Sequence, residues 1–177
     1  NGLISLEEHL TEPSKSAIFQ RHSSLLRDRQ ALEFLCGSLR PVIDGRVEPD
    51  QLRQLLETDL GRMEEEGHAP CGVLTRAADA MPGFGIVAAV LGIVITMASI
   101  NGPIETIGEK VAAALVGTFL GIFLGYGFLN PLAVNMEFNM AARLVYFRCI
   151  ASSVVSFASG MAPAMAIEIA RRSLGED

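Results

Sequence analysis

Groups that hold metals or carry acid–base chemistry are scarce in this sequence. Its three cysteines, Cys36, Cys71 and Cys149, and its three histidines, His9, His22 and His68, share no metal-ligand spacing. Buried, reduced thiols are the expected state of the cysteines. No nucleophile motif stands beside a histidine, so no catalytic residue, metal or cofactor is expected, and the sequence does not describe an enzyme. Basic residues are also in the minority: 14 Lys and Arg stand against 20 Asp and Glu, for a net charge of −6. That balance excludes a nucleic-acid surface, which needs clustered cations to meet phosphates.

Charge of either sign is missing from two long runs. Between Asp79 and Glu105, "MPGFGIVAAVLGIVITMASINGP" carries no charged side chain, and a second gap runs from Val111 to Met136. Each exceeds the roughly 20 residues that cross a hydrocarbon layer as a helix. The pair predicts a transmembrane hairpin in a lipid bilayer. The expected organisation is all-α: residues 1–80 a polar helical cytoplasmic region, 81–100 a membrane helix, 101–110 an external connection, 111–130 a second membrane helix and 131–177 a helical cytoplasmic tail. Basic residues set the orientation. Nine, among them Arg46, precede the hairpin, four follow it, and the connection "NGPIETIGEK" holds only Lys110. Both arms are therefore expected on the cytoplasmic side. The chain opens at Asn1 without Met or a basic leader region, so its natural start is expected upstream.

Within the arms, "SLEEHLTEP" predicts a short helix ending near Pro13. "RQALEFLCGSLRPVIDG" predicts a compact helix or helix pair broken at Pro41 and Gly45. Further on, Leu52, Leu56, Leu60 and Met63 fall on one face of a helix starting near Pro49. Gly67 and Pro70 are candidate kink points before the membrane. The charge-free run Cys149–Ile167 carries four serines, a glycine and a proline, so it is assigned to packed cytoplasmic helix. "GPIETIGEK" lacks phosphate-loop spacing, and "EEEGH" at 64–68 has no second ligand cluster.

Small residues organise the hairpin. Ala113, Gly117, Gly121 and Gly125 recur every four residues and lay a flat strip along the second span, and Ala88 and Gly92 do the same in the first. In lipid, such strips let helix backbones approach closely. Strips on both helices exceed one mutual contact and imply further neighbours. Polar atoms in the spans are few: Thr96, Thr118 and Tyr126. Thr118 and Tyr126, about two turns apart, are candidates to line one cavity, and a membrane threonine also bonds readily to its own i−4 carbonyl. With no Asp, Glu, His, Lys or Arg in either span, the hairpin carries no titratable relay of its own. A carboxylate for any ion path has to come from another chain.

The segments "MPGFGIVAAVLGIVITM", "ALVGTFLGIFLGYGFLNPLA" and "GMAPAMAIEIARR" resemble the last two membrane helices and tail of the flagellar stator branch of the MotA/TolQ/ExbB proton channel superfamily. "LISLEEHL" resembles the start of that branch's torque-generating region. The resemblance spans nearly the whole chain and implies two further membrane helices upstream. It implies a homopentamer of sister subunits around a MotB dimer that supplies the ion-binding aspartate, in a bacterial inner membrane. It also implies contact with the rotor C-ring protein FliG. Pro82 and Pro131 match prolines that couple ion passage to movement. Thr118 matches a hydroxyl beside the ion path, Ala89 a position that carries threonine in sodium-driven relatives, and Thr96 is a further pathway candidate with Tyr126. Glu7 matches an acidic rotor-contacting residue, with Glu8 and Glu12 on the same arm. The resemblance thus implies a proton-driven subunit. The alternatives are an ExbB/TolQ-type energiser of outer-membrane processes and a passive membrane anchor.

Overall fold

The computed structural model describes residues 4–45 and 47–174, and every regular element among them is helical. Leu3, at the start of "LISLEEHL", and Arg46, counted for orientation, lie outside the described residues. Contacts divide the chain into two compact units: residues 1–64 with 141–177, and residues 65–140.

The first unit opens with α1 (Ile4–Thr11), a single 3₁₀ turn at Pro13–Lys15, α2 (Ala17–Gln20) and α3 (Ser23–Arg27). Glycine-free and serine-rich, this stretch is punctuated by caps. The Ser16 hydroxyl accepts from the Phe19 N–H, and the Asp28 carboxylate accepts from the Ala31 N–H at 3.1 Å to start α4 (Arg29–Ile43). The sequence predicts a break at Pro41, yet α4 runs through it. The helix stops two residues later, where Gly45 adopts φ 63° and the Asp44 N–H closes on the Arg40 carbonyl. A left-handed residue ends a helix more firmly than a proline in its last turn.

Helix α5 (Pro49–Met97) begins in this unit with Pro49 at its first position. Its Leu52, Leu56 and Leu60 are buried at four-residue spacing, and Met63 packs beside them as the periodicity predicts. They meet Leu144, Phe147, Ala151, Val154 and Val155 of α7 (Asn130–Ala158), with Ala31 and Phe34 of α4 completing the core. Burying a Leu or Phe fully is worth about 1.5–3 kcal/mol, so this core holds the three helices together. Phe34 meets Phe147 edge-on at 5.2 Å between ring centroids. Arg143 sits over the Phe147 ring and also pairs with Asp28 at 2.8 Å. The chain ends in α8 (Pro163–Arg172), entered through Gly160 at φ 74°. The run Cys149–Ile167 is thus the end of α7, a turn and the start of α8.

The second unit contains the remainder of α5, helical through Gly67, Pro70 and Pro82, and α6 (Ile104–Ile122). A π-helical segment (Phe123–Leu129) joins α6 to α7 without a break. These two long helical runs reach mean hydropathies of 2.1 and 1.9 in their most apolar stretches, and only 17% of each stretch is buried. A soluble core helix would be mostly buried. Here Phe84, Val87, Leu91, Leu115 and Phe119 are all exposed, a bare apolar surface that suits lipid or further helices and not water.

Candidate functional site

Small residues let α5 and α6 run antiparallel in close contact. A methyl group added at Gly92 would lie 2.5 Å from the Ala114 Cβ, and one at Gly117 would lie 3.0 Å from the Ala88 Cβ. Deeper along the pair, a Cβ at Gly121 would meet the Met81 carbonyl oxygen at 2.5 Å, and one at Gly125 would meet the Ala78 oxygen at 2.7 Å. These obstacles are backbone atoms of a helix, which cannot swing aside. Gly85 closes the ladder, with the Gly117 oxygen 2.9 Å from its missing Cβ. Ala113 points outward and is exposed, while its neighbour Ala114 is buried against Gly92. A strict four-residue strip does not follow a 3.6-residue helix for long, so the contact line steps by three at that point. Gly85 was also readable in the sequence, since Gly85, Ala88 and Gly92 are spaced three and four apart.

The two prolines stand on the two sides of this contact's lower end. Pro82 has no N–H to give the Ala78 carbonyl one turn back, and that oxygen lies against Gly125. Gly125 belongs to the π segment, in which the Asn130 N–H donates to the Gly125 carbonyl five residues back. Pro131 follows directly, exposed in the first turn of α7. In an α-helix its ring would press on the carbonyl four residues back. The wider π turn relieves that clash, which accounts for the segment ending where the proline begins.

Polar groups in the hairpin are directed inward or are open on one chain. Thr96 is buried and donates to the Gly92 carbonyl at 2.8 Å, one turn back on its own helix. Thr118, half-buried, donates across to the Gly85 carbonyl at 3.4 Å, a long and weak bond. Tyr126 lies in the π segment and is 56% exposed. The π turn that begins at Phe123 stands between Thr118 and Tyr126, so plain α-helical spacing does not relate the two. Ala89 is half-buried beside Gly117 and brings no oxygen to the site. At the connection, Lys110 Nζ donates to Ser99 Oγ.

In the other unit, Glu7 and Glu8 are exposed on α1 and make no ion pair among the described residues, while Glu12 pairs with Lys15 at 2.8 Å. Cys36 and Cys71 are buried, Cys149 is half-buried, and all three are free thiols. Burial pushes the Cys36 thiol above its ordinary pKa, which keeps it protonated. No cluster of metal-ligating side chains occurs among the described residues.

Two apolar helical runs without Asp, Glu, His, Lys or Arg, joined by small residues and each carrying a proline, narrow the family. Residues 22–143 match the MotA/TolQ/ExbB proton channel family. The chain belongs to that family. Among MotA/TolQ/ExbB relatives, Motility protein A of Salmonella typhimurium is 36% identical over 173 residues, covering 98% of this chain and 59% of the relative. Chemotaxis protein LafT of Vibrio parahaemolyticus is 37% identical over 176 residues, covering 99% of this chain and 62% of the relative. The chain thus spans about six-tenths of these relatives' length. The flagellar MotAB stator complex from Bacillus subtilis contains a similar chain, 27% identical with a TM-score of 0.69, covering 76% of this chain and 52% of that one. A chain of C. jejuni MotAB shares the fold, with a TM-score of 0.75 at 18% identity, over 99% of this chain and 67% of that one.

Proposed function

We propose that the chain is the greater part of a proton-driven flagellar stator subunit in a bacterial inner membrane, with both arms cytoplasmic. The observation that carries this reading is a family hairpin with tight small-residue packing and no Asp, Glu, His, Lys or Arg between Asp79 and Glu105 or between Lys110 and Glu137. Such a hairpin cannot bind the ion alone. It needs the carboxylate of a partner helix, which in this reading is MotB's aspartate. Its bare outer faces at Phe84, Val87 and Phe119 need neighbours, which in this reading are sister subunits in a pentamer and lipid.

Ion passage past the partner's carboxylate would shift the hairpin near Pro82 and Pro131, where helical hydrogen bonding is already interrupted. In this reading Thr118 lies beside that path, and Thr96, whose hydroxyl donates to the Gly92 carbonyl, is a further candidate along it. Ala89 supplies no oxygen. Sodium must replace its hydration shell with several oxygen ligands, whereas a carboxylate accepts a bare proton without them, and this favours the proton. Glu7 and Glu8, exposed and unpaired on α1, are available to basic residues of FliG, each through a screened attraction of roughly 1 kcal/mol or less. The relatives bearing motility names and the proline pair favour the flagellar branch over ExbB/TolQ energisers.

The test is co-purification of the full-length protein with MotB from membranes. The expected result is one complex of fixed stoichiometry whose size is unchanged, and whose motility is abolished, when the partner's aspartate becomes asparagine. Full motility without that carboxylate would refute the proposal.

A further inference from the structure

A cavity of about 440 Å³ lies inside the first unit, between the start of α5, the end of α7 and α8. That volume lies within the range of small-molecule sites. Its floor is apolar, formed by Leu56, Leu60, Val155, Met161 and Ile169. Its polar groups are unusual. Helical serines commonly donate to the carbonyl one turn back, and Ser153 and Ser159 of this region do so, to Cys149 and Val155. Ser152 and Ser156 line the cavity and make no side-chain hydrogen bond among the described residues. No buried side-chain oxygen there lacks a partner, so both hydroxyls reach open space and are free to bond a ligand.

The rim carries a matched pair of charges. Arg53 and Glu57 are one turn apart on α5 and both line the cavity, yet among the described residues they bond neither each other nor any other side chain. Arg148 also lines it but is already held by Glu64 at 3.3 Å. The uncommitted groups are therefore one cation, one anion and two hydroxyls above an apolar floor. A purely anionic ligand would be repelled by Glu57, and a purely cationic one by Arg53. We propose that this cavity binds a small zwitterion with an apolar body, a free amino acid with an aromatic or branched aliphatic side chain. Its carboxylate would meet Arg53, its ammonium Glu57, and its side chain the floor. The inference concerns the cytoplasmic unit and does not depend on the stator reading.

Para-fluoro-L-phenylalanine, titrated into the full-length membrane complex and followed by fluorine NMR, tests this. Saturable broadening of the fluorine line is expected. Arg53→Gln or Glu57→Gln, both exposed changes that leave the core intact, should each weaken binding about tenfold, as should N-acetylation of the probe. Ser156→Val should weaken it as well. Broadening that never saturates, or saturable binding unchanged in both Arg53→Gln and Glu57→Gln, would overturn the proposal. So would equal binding of the N-acetyl probe.

Discussion

At Gly121 one hydrogen atom decides whether two helices can touch. A Cβ there would stand 2.5 Å from the Met81 carbonyl oxygen, so Gly121→Leu should cost about 1–3 kcal/mol of overpacking or force the pair apart. The full complex should then appear smaller or absent in native mass spectrometry, whereas Gly108→Ala, with open space around it, should leave it unchanged. Asp28 makes a different kind of single-residue prediction. Its hydrogen bond from Arg143, with help from the Ala31 N–H, holds its carboxyl below the ordinary carboxylate range. A depressed acid pKa means stability that is present above about pH 4 and is lost as pH falls through the folded value. Because Arg143 is well exposed, solvent screening limits the effect to about 1 kcal/mol or less. Asp28→Asn should therefore lower the melting temperature at pH 7, and the difference from wild type should shrink toward pH 3. An equal difference at both pH values would show that the charge is not the cause. Gly92, Gly117, Gly121 and Gly125 were legible in the sequence from their spacing, which nevertheless picked Ala113 where Ala114 makes the contact. The Asp28–Arg143 pair was not, since 115 positions separate the partners and no local pattern links them.

Helices carry most of what the sequence reveals. Charge-free runs locate the two apolar helices, and the Leu52, Leu56 and Leu60 spacing locates the core face of α5. Helix ends were harder to read: α4 passes through Pro41. Proline and glycine weigh against a helix only by local energies, which packing along a long element outweighs. The π segment was invisible as such, since "FLGYGFL" scans as ordinary apolar helix and its cause, Pro131, lies beyond its end. Coupling by the prolines has a direct test at this scale. Pro82→Ala restores an N–H for the Ala78 carbonyl and should stiffen α5 opposite Gly125. Soft-agar spreading should fall severely while membrane abundance and complex size stay normal. Normal spreading would reduce Pro82 to helix punctuation.

For the whole molecule, the distribution of charge carries the meaning. Polar arms flank an apolar hairpin whose charge-free runs hold no Asp, Glu, His, Lys or Arg, so in the proposed reading the carboxylate of the ion path comes from a partner. The bare apolar faces of the hairpin fit that reading. Tethered-cell rotation provides the most direct measurement, in a strain whose only stator subunit is the full-length protein expressed with its partner. Rotation is predicted, at a speed that follows the proton-motive force and does not change with external sodium. Cells that stay still while the complex is present in the membrane, or a speed that rises with sodium at fixed proton-motive force, would contradict it.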